Sequence, residues 1–430
     1  MKYLIAILSP ILLVLACTST PVPNPKNSLQ ANNPVVEKKT KKSILSVKSK
    51  FLDHGPNIRI MLNYELEPSQ NSAKILQDFG SNYVLSFTLL PDYSSKQSLN
   101  SGVIELSSQR LYLNNKTLTV VFDIPKPKDI FTGIVMSSLS EKTGNVLGLP
   151  LVNDLFVRFQ SGKVGDYFTF FEKNNQSPIL RNYADKSDSI IIKDLANTSR
   201  KMMVLRYKHD FDFAQSPMAT TPRSVTKALY LDSLFYVETN KPFMLNEEAL
   251  YYFCRDTTES YGIGILGVDG RFPRLTRPER MTRPLAYMST LQEMADWGKA
   301  GNTEEAKRAI DRFFLTLTNG NQQVAKRIIK QYYQRIEQAN ELYTTYKEGW
   351  KTDRGMIFTI MGEADRVLRS KDKEVWTYNR RGQAGDINFT FLRRPNQFVE
   401  DHYELTRYPE YQALWFPIVE SWRIGEAGGN

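Results

Sequence analysis

The N-terminal segment places the strongest constraint on what this chain can fold into. Met1 and Lys2 give it a short, positively charged start, and an almost unbroken apolar run follows over residues 4–15. An apolar run of this length is typical of a secretory signal and is too short to span a bilayer as a helix. The segment therefore predicts that the chain is exported.

The apolar run ends in Val14-Leu15-Ala16-Cys17, which resembles the lipobox of bacterial lipoproteins. Lipidation needs a thiol that takes up a diacylglyceryl group and a small residue at the cleavage site. The resemblance implies that residues 1–16 are a signal peptide and that acylated Cys17 binds membrane lipid, since each buried methylene contributes roughly 0.8 kcal/mol. The alternative is an ordinary secretory signal with a chance cysteine.

The sequence also bears on location and partners. Thr18 is not the aspartate that resembles an inner-membrane retention signal, so we expect the cell outer membrane, with the leaflet left open. The net charge of +10 favours anionic lipid, lipopolysaccharide or an acidic partner protein, because an exported lipoprotein seldom meets nucleic acid. With Cys17 lipidated, Cys254 is the other cysteine, and we predict a buried thiol there rather than a catalytic one.

Composition and turn signals divide the rest of the chain. Residues 17–45 are rich in Pro, Asn, Ser and Lys and are predicted to be a flexible tether, whose basic cluster is either solvated or in contact with lipid head groups. Short apolar runs then predict two immunoglobulin-like β-sandwich domains, over residues 46–160 and 161–270. The predicted strands are 58–64, 83–89, 110–113, 118–122 and 133–136 in the first domain, and 167–171, 189–192, 202–207, 243–245 and 249–253 in the second.

Residues 271–430 are predicted to form a helical and α/β domain. Apolar side chains recur at helical spacing in two stretches that Asn319-Gly320-Asn321 separates. Asn302 and Glu305 have the spacing of a capping box at the start of the first stretch. Three strands are predicted further on, at 366–370, 374–378 and 387–392.

A motif stands at the end of the helical stretch, and it consists of Gly349, Trp350, Thr352 and Asp353, followed by Arg354 and Gly355. From about residue 286 to the C-terminus, the chain resembles the GWxTD family of bacterial envelope proteins, whose activity is largely undefined. Ala364 stands where the family often has proline. The pattern after the motif also resembles the small lipoprotein fold of the outer-membrane β-barrel assembly complex.

The residues of the motif favour a structural role. Thr352 or Asp353 can cap a short helix that begins near Arg354, and Gly362 can end that helix in a left-handed conformation. Trp350 is large enough to hold the preceding helix against the following sheet. The alternative is that Asp353 and Arg354 contact a ligand or a partner.

Little in the sequence points to catalysis. His54, His209 and His402 lie in separate regions without ligand spacing, so we predict no metal, no cofactor and no catalytic residue. The string at residues 262–267 matches a dinucleotide-binding pattern, but residues 268–273 would break the helix that this pattern requires. We therefore predict a strand or turn there.

Two sets of residues are candidate partner contacts. One is the basic loop that joins the second β domain to the helices, and the other belongs to the aromatic C-terminal tail; the residues are Arg271, Arg274, Arg277, Trp415 and Trp422. The alternatives are a solvated connector for the loop and a small core for the tail.

The leading functional hypothesis is a non-enzymatic outer-membrane lipoprotein that docks on other envelope proteins, as an accessory subunit of an assembly or secretion complex. The rivals are an envelope hydrolase acting on glycan or peptide, and a glycan-binding lipoprotein. Converging carboxylates in a deep pocket would favour the hydrolase, and an exposed apolar face would favour docking.

Overall fold

The computed structural model describes residues 44–66, 72–143, 146–147, 150–160, 162–174, 176–221, 229–379 and 385–427. The predicted signal peptide, Cys17 and nearly all of the predicted tether lie outside these residues, so they stay predictions. Within the described part of the chain, no helix is long and apolar enough to cross a membrane.

Two antiparallel sheets form the N-terminal part of the described chain. Its elements are β1 (Ile44–His54), β2 (Asn57–Leu66), α1 (Ser72–Asn82), β3 (Tyr83–Leu90), β4 (Asn100–Ile104), β5 (Leu111–Asn114), β6 (Thr117–Pro125), β7 (Thr132–Thr143), β8 (Val146–Leu147) and β9 (Leu151–Arg158). One sheet has the order β1-β2-β6-β5, and in the other β4, β3, β7 and β9 are neighbours, with β8 also paired to β7. Buried side chains of both sheets, such as Leu62 and Leu85, share one hydrophobic core.

Helix α1 corrects the expectation of β structure throughout this region. Ile75, Leu76 and Phe79 lie on one side of α1 and pack on the core of the two sheets. The ring of Phe79 stacks on that of Tyr83, with 4.7 Å between centroids. This spacing of apolar residues is the helical signal in the sequence.

A second pair of sheets follows, again around a shared core. The elements are α2 (Val164–Tyr167), β10 (Thr169–Glu172), β11 (Pro178–Ile179), β12 (Tyr183–Asp185), β13 (Ser189–Lys193), β14 (Lys201–Tyr207), β15 (Leu231–Glu238), β16 (Pro242–Met244), β17 (Leu250–Cys254) and β18 (Ile263–Val268). The strand orders are β11-β10-β13-β16 and β12-β18-β17-β14-β15, and the pairing is antiparallel except between β12 and β18. Residues 263–267 of the glycine string lie on β18, which agrees with the predicted strand or turn.

The C-terminal part is an α+β region. Its helices are α3 (Pro278–Met281), α4 (Leu291–Trp297), α5 (Thr303–Leu317), α6 (Gln322–Tyr343), α7 (Asp353–Met361) and α8 (Gln412–Arg423), with short 3₁₀ helices at Arg283–Tyr287, Gly349–Lys351 and Pro409–Tyr411. The antiparallel sheet β19-β20-β21-β22 is formed by β19 (Arg366–Arg369), β20 (Lys373–Tyr378), β21 (Ile387–Arg393) and β22 (Tyr403–Leu405).

Local capping explains where the long helices begin and end. Asn302 accepts from the amide of Glu305 at the start of α5, as predicted, but Glu305 accepts from the amide of Gly301 and not from that of Asn302. Asn319 and Gly320 have positive φ angles of 48° and 80°, and Asn321 then caps α6. The predicted helix stop and restart is therefore confirmed.

The C-terminal region covers part of the second β region. Phe398 and Val399 pack on Met203, Tyr252 and Cys254, on the face of the β14–β17–β18 part of the sheet that points away from the shared core. Burial raises the pKa of the Cys254 thiol to about 11, which keeps it protonated near neutral pH and agrees with a packing role.

Candidate functional site

The backbone around the GWxTD motif is held by side chains of α6. Asn340 accepts from the amide of Trp350 at 3.2 Å, and Thr344 accepts from the amide of Gly349 at 3.0 Å. Thr352 caps α7 by accepting from the amide of Gly355 at 3.0 Å. The predicted cap is confirmed, and these bonds fix the motif against the end of α6.

Trp350 fills the core beside the motif. Its side chain is 2% exposed, and Tyr287 donates to its carbonyl oxygen at 2.7 Å. The ring lies 6.0 Å from that of Phe213, which is in the segment between β14 and β15. The indole N–H has no hydrogen-bond partner among the residues that the structure describes. Packing is thus the contribution that this tryptophan makes.

The charged residues of the motif join α7 to the sheet. Asp353 accepts from the amide of Leu405 at 2.7 Å and forms an ion pair with Arg407. Arg354, 7% exposed, donates to Asp401 at 2.7 Å, and its guanidinium lies 4.4 Å from the centroid of Tyr403. Both side chains have partners inside the chain, which is what their structural interpretation requires.

Glycine is required for different reasons at Gly355 and Gly362, the two glycines that follow the motif. A Cβ on Gly355 would overlap the carbonyl oxygen of Gly349, so close backbone packing requires glycine. Gly362 ends α7 with a φ of 89° and a ψ of −160°. This φ is positive as predicted, but the backbone is extended and not in the left-handed helical conformation, which corrects that detail.

The basic loop binds carboxylates of its own chain. Arg274 forms an ion pair with Glu337 at 3.0 Å, and Arg277 forms pairs with Glu248 at 2.7 Å and with Asp269 at 3.3 Å. Arg271 lies near Thr276, at 3.4 Å. Both arginines have carboxylate partners within the chain and are also exposed, so their role as partner contacts stays a prediction.

Two tryptophans of the aromatic tail belong to the core. Trp415 and Trp422 lie on one face of α8 and are 4% and 2% exposed. The indole of Trp422 donates to the carbonyl oxygen of Ile360 at 2.9 Å, which fixes α8 against α7. Their burial supports the core interpretation of these two tryptophans, whereas Tyr408 and Phe416 of the tail are 48% and 52% exposed.

A polar cleft of about 400 Å³ lies where the two β regions meet α6. Glu65 on β2 and Glu341 on α6 lie beside the same ammonium group, because Lys116 pairs with Glu65 and is 3.8 Å from Glu341. Burial and the neighbouring carboxylate raise the pKa of Glu341, whereas the ammonium of Lys116 helps to hold the pKa of Glu65 below its ordinary value. Lys48, whose pKa burial lowers to about 8, donates to the carbonyl oxygen of Glu341 at 2.9 Å. These groups were not predicted from the sequence.

The cleft does not form a metal site in the described residues. Among them, no group of three or more His, Cys, Asp and Glu side chains is arranged to hold an ion. Two other carboxylates of the cleft are paired with cations, Glu337 with Arg274 and Asp269 with Arg277.

Exposed apolar side chains are concentrated in another part of the sequence, on and around β15. Seventeen large apolar side chains are exposed in the described parts of the chain, and six of them fall between residues 229 and 244. Leu231, Leu234 and Tyr236, named here the β15 strip, are 41%, 46% and 52% exposed. Leu229, Tyr230 and Met244 lie close to it in the chain. The sequence analysis missed β15 altogether.

The architecture is that of a protein with β-sheets at its N-terminus and an α+β region at its C-terminus, fixed by a buried tryptophan motif. Comparison with protein-family models identifies a GWxTD domain at residues 249–424. The matched region includes β17 and β18, which the resemblance seen in the sequence had left out. Comparison with curated proteins found no match, and neither did comparison with solved structures.

Proposed function

We propose that this chain is a non-enzymatic lipoprotein of the cell outer membrane that docks on other envelope proteins, as an accessory subunit of an assembly or secretion complex. The observation that carries the proposal is the clustering of exposed apolar side chains on and beside β15. Contiguous apolar patches on soluble domains mark interaction sites, whereas single exposed apolar residues need no explanation.

The position of the β15 strip explains why it is exposed. Tyr236 is the cross-strand partner of Met203 on β14, and Leu234 is that of Leu205. Met203 is buried under Phe398, and Leu205 packs against the same cluster. The cover from the C-terminal region thus extends over β14 and stops before β15. A partner bound to β15 would extend the apolar packing that Phe398 provides over β14.

The hydrolase alternative receives one supporting observation, the Glu65–Glu341 pair in the cleft. A glycosidase needs its two carboxyl groups about 5–9 Å apart so that a sugar or a water fits between them. Glu65 and Glu341 instead share one ammonium group, because Lys116 pairs with Glu65 and lies 3.8 Å from Glu341. This arrangement agrees better with a link between β2 and α6 than with catalysis.

The glycan-binding alternative rested on aromatic platforms in the C-terminal tail. Burial of Trp415 and Trp422 takes away the two largest of these platforms. As for the fold, the shared core of each pair of sheets supports the immunoglobulin-like sandwich that we propose for both β regions.

The test is a mild-detergent pull-down of the tagged, lipidated protein from its own cells, followed by mass spectrometry. We expect stoichiometric recovery of an outer-membrane protein with the wild type and its loss with Leu234→Glu. Val103→Glu is the matched control, because Val103 is 71% exposed on another edge strand and is far from the cluster in sequence. Recovery of the protein alone would argue against docking and would direct the work to hydrolase screens.

Lipidation needs its own test. Cells grown with labelled palmitate should label the wild-type protein but not Cys17→Ser, since that variant lacks the thiol that is acylated. Equal labelling of the two proteins would reject Cys17 as the site, and export without any label would support the ordinary secretory signal.

A further inference from the structure

The outer edge of β15 is an open β-sheet edge. β15 is the last strand of its five-stranded sheet, and its inner edge pairs with β14 from Lys201↔Glu238 to Tyr207↔Leu231. No strand in the described residues pairs with the outer edge. Such an edge presents N–H and C=O groups that can form main-chain hydrogen bonds with another strand.

The central part of β15 lacks the features that usually protect an edge. Proteins block exposed edges with proline, with charged residues, with bulges or by keeping the strand short. β15 has eight residues, and its central five, Ser233 to Val237, include no charge and no proline. Its one irregularity lies at the start of the strand, between the pairs of Arg206 and Tyr207. The centre is thus open to strand addition.

The side chains of β15 indicate what an added strand would carry. On the outward face, Leu234 and Tyr236 continue the apolar row that Leu205 and Met203 begin on β14. A strand added beside β15 would place every second side chain next to this row. Apolar side chains at alternate positions would therefore be buried on binding.

The charges at one end of β15 indicate the polarity of the partner. An open groove there is lined by Arg200, Lys201 and Lys241, with Glu238 as its carboxylate. Lys241 pairs with Glu238 and Arg200 pairs with Asp194, so the ammonium of Lys201, 4.2 Å from the centroid of Tyr236, leaves this end with one net positive charge. A carboxylate on the added strand would be attracted to it, and like charges would be repelled.

We infer that β15 binds, by strand addition, an extended segment of a partner protein with apolar residues at alternate positions and acidic residues at the end beside Lys201 and Lys241. The inference rests on the proposed docking function and names its mode and the chemistry of the partner.

The probe is a synthetic peptide of about eight residues with valine and threonine alternating and glutamate at one end. It is titrated against the full chain carrying Cys17→Ser, with fluorescence anisotropy as the readout. Two further peptides carry N-methyl groups on alternate amides, one peptide on the odd-numbered residues and the other on the even-numbered residues. Only one register of amides faces β15, so we expect about tenfold weaker binding, or more, for one methylated peptide and unchanged binding for the other.

Variants of the protein and of the peptide test the remaining parts. Leu234→Glu should abolish binding and Val103→Glu should not, because both residues lie on edge strands but only the first lies on β15. Replacing the glutamates of the peptide by lysines should weaken binding, and this difference should shrink at high salt.

Three outcomes would overturn the inference. Equal binding of the two methylated peptides and the parent peptide would show that main-chain pairing is not used. Absence of binding by the parent peptide would reject this partner chemistry. Dimers of the chain that Leu234→Glu dissociates would identify a second copy as the occupant. If the pull-down partner is still lost with Leu234→Glu, the docking function survives each of these results.

Discussion

The GWxTD motif and the β15 strip use large apolar side chains in opposite ways. Trp350 is 2% exposed and lies among groups that bind each other, whereas Leu234 and Tyr236 are 46% and 52% exposed on an open sheet edge. The motif lies inside the matched domain at residues 249–424, and β15 precedes it. The comparison teaches that the recognisable motif builds the fold, while the surface that we propose for docking lies outside the matched domain.

This division has a consequence for the matched domain. The side-chain oxygens of Thr352 and Asp353 and the guanidinium of Arg354 are bound within the chain, so a GWxTD domain can be retained while the preceding strands change. We therefore expect docking specificity to follow the sequence of the β15 region and stability to follow the motif.

The largest effect is expected for Gly355→Ala. The added Cβ would overlap the carbonyl oxygen of Gly349, which is backbone and cannot move aside without disrupting the end of α6. We expect a loss of about 4 kcal/mol or more in the free energy of unfolding, or no folded protein. The measurement is urea unfolding followed by tryptophan fluorescence, since all five tryptophans lie at or after residue 297.

Gly162→Ala is the control for this prediction. Nothing lies within 4 Å of a Cβ built on Gly162, so its unfolding midpoint should stay near that of the wild type. Equal midpoints for Gly355→Ala and Gly162→Ala would mean that the motif is not closely packed.

Arg354→Met should have the next largest effect. Methionine fills much of the volume but leaves the buried carboxylate of Glu374, which is 6% exposed and 3.7 Å from the guanidinium, with one cation fewer. Loss of one partner from a buried ion pair costs about 3–5 kcal/mol. The double variant Arg354→Met/Glu374→Gln should recover part of the lost free energy of unfolding. If its loss equals the sum of the losses of the two single variants, the two side chains are not coupled.

A smaller effect is expected for Thr352→Ala. The alanine cannot accept from the amide of Gly355, and loss of an N-cap costs about 1 kcal/mol. Thr352→Ser keeps the hydroxyl and should restore most of the stability. If serine and alanine give the same thermal midpoint, the hydroxyl does not contribute as a cap.

Local signals in the sequence predicted much of this fold. Alternating apolar residues located β2, β3 and β6, and Asn321 and Thr352 located the starts of α6 and α7. These features depend on a few neighbouring residues, through side-chain alternation and through capping. Helix α8 was missed because Pro417 lies inside it, although Trp415, Val419 and Trp422 recur at helical spacing.

The features that bear on function were harder to predict because they depend on distant parts of the chain. Glu65 and Glu341 meet only when β2 and α6 pack together. Tryptophan is a residue type often found in binding sites, but packing of α8 on the core buries Trp415. The sequence of β15 shows its apolar residues but not that Phe398 covers β14 and leaves the neighbouring strand open.

The smallest effect on stability is expected on β15, where a change in binding should occur without a change in folding. Leu234→Thr keeps a residue that favours strands, so its free energy of unfolding should change by no more than about 0.5 kcal/mol. Met203→Thr, on the same face of the next strand, removes a side chain that is 3% exposed and should cost about 2 kcal/mol or more. In the pull-down, Leu234→Thr should lower recovery of the partner because the added strand loses apolar contact. If Leu234→Thr were as destabilising as Met203→Thr, Leu234 would belong to the core, and the contrast between a closed motif and an open edge would fail.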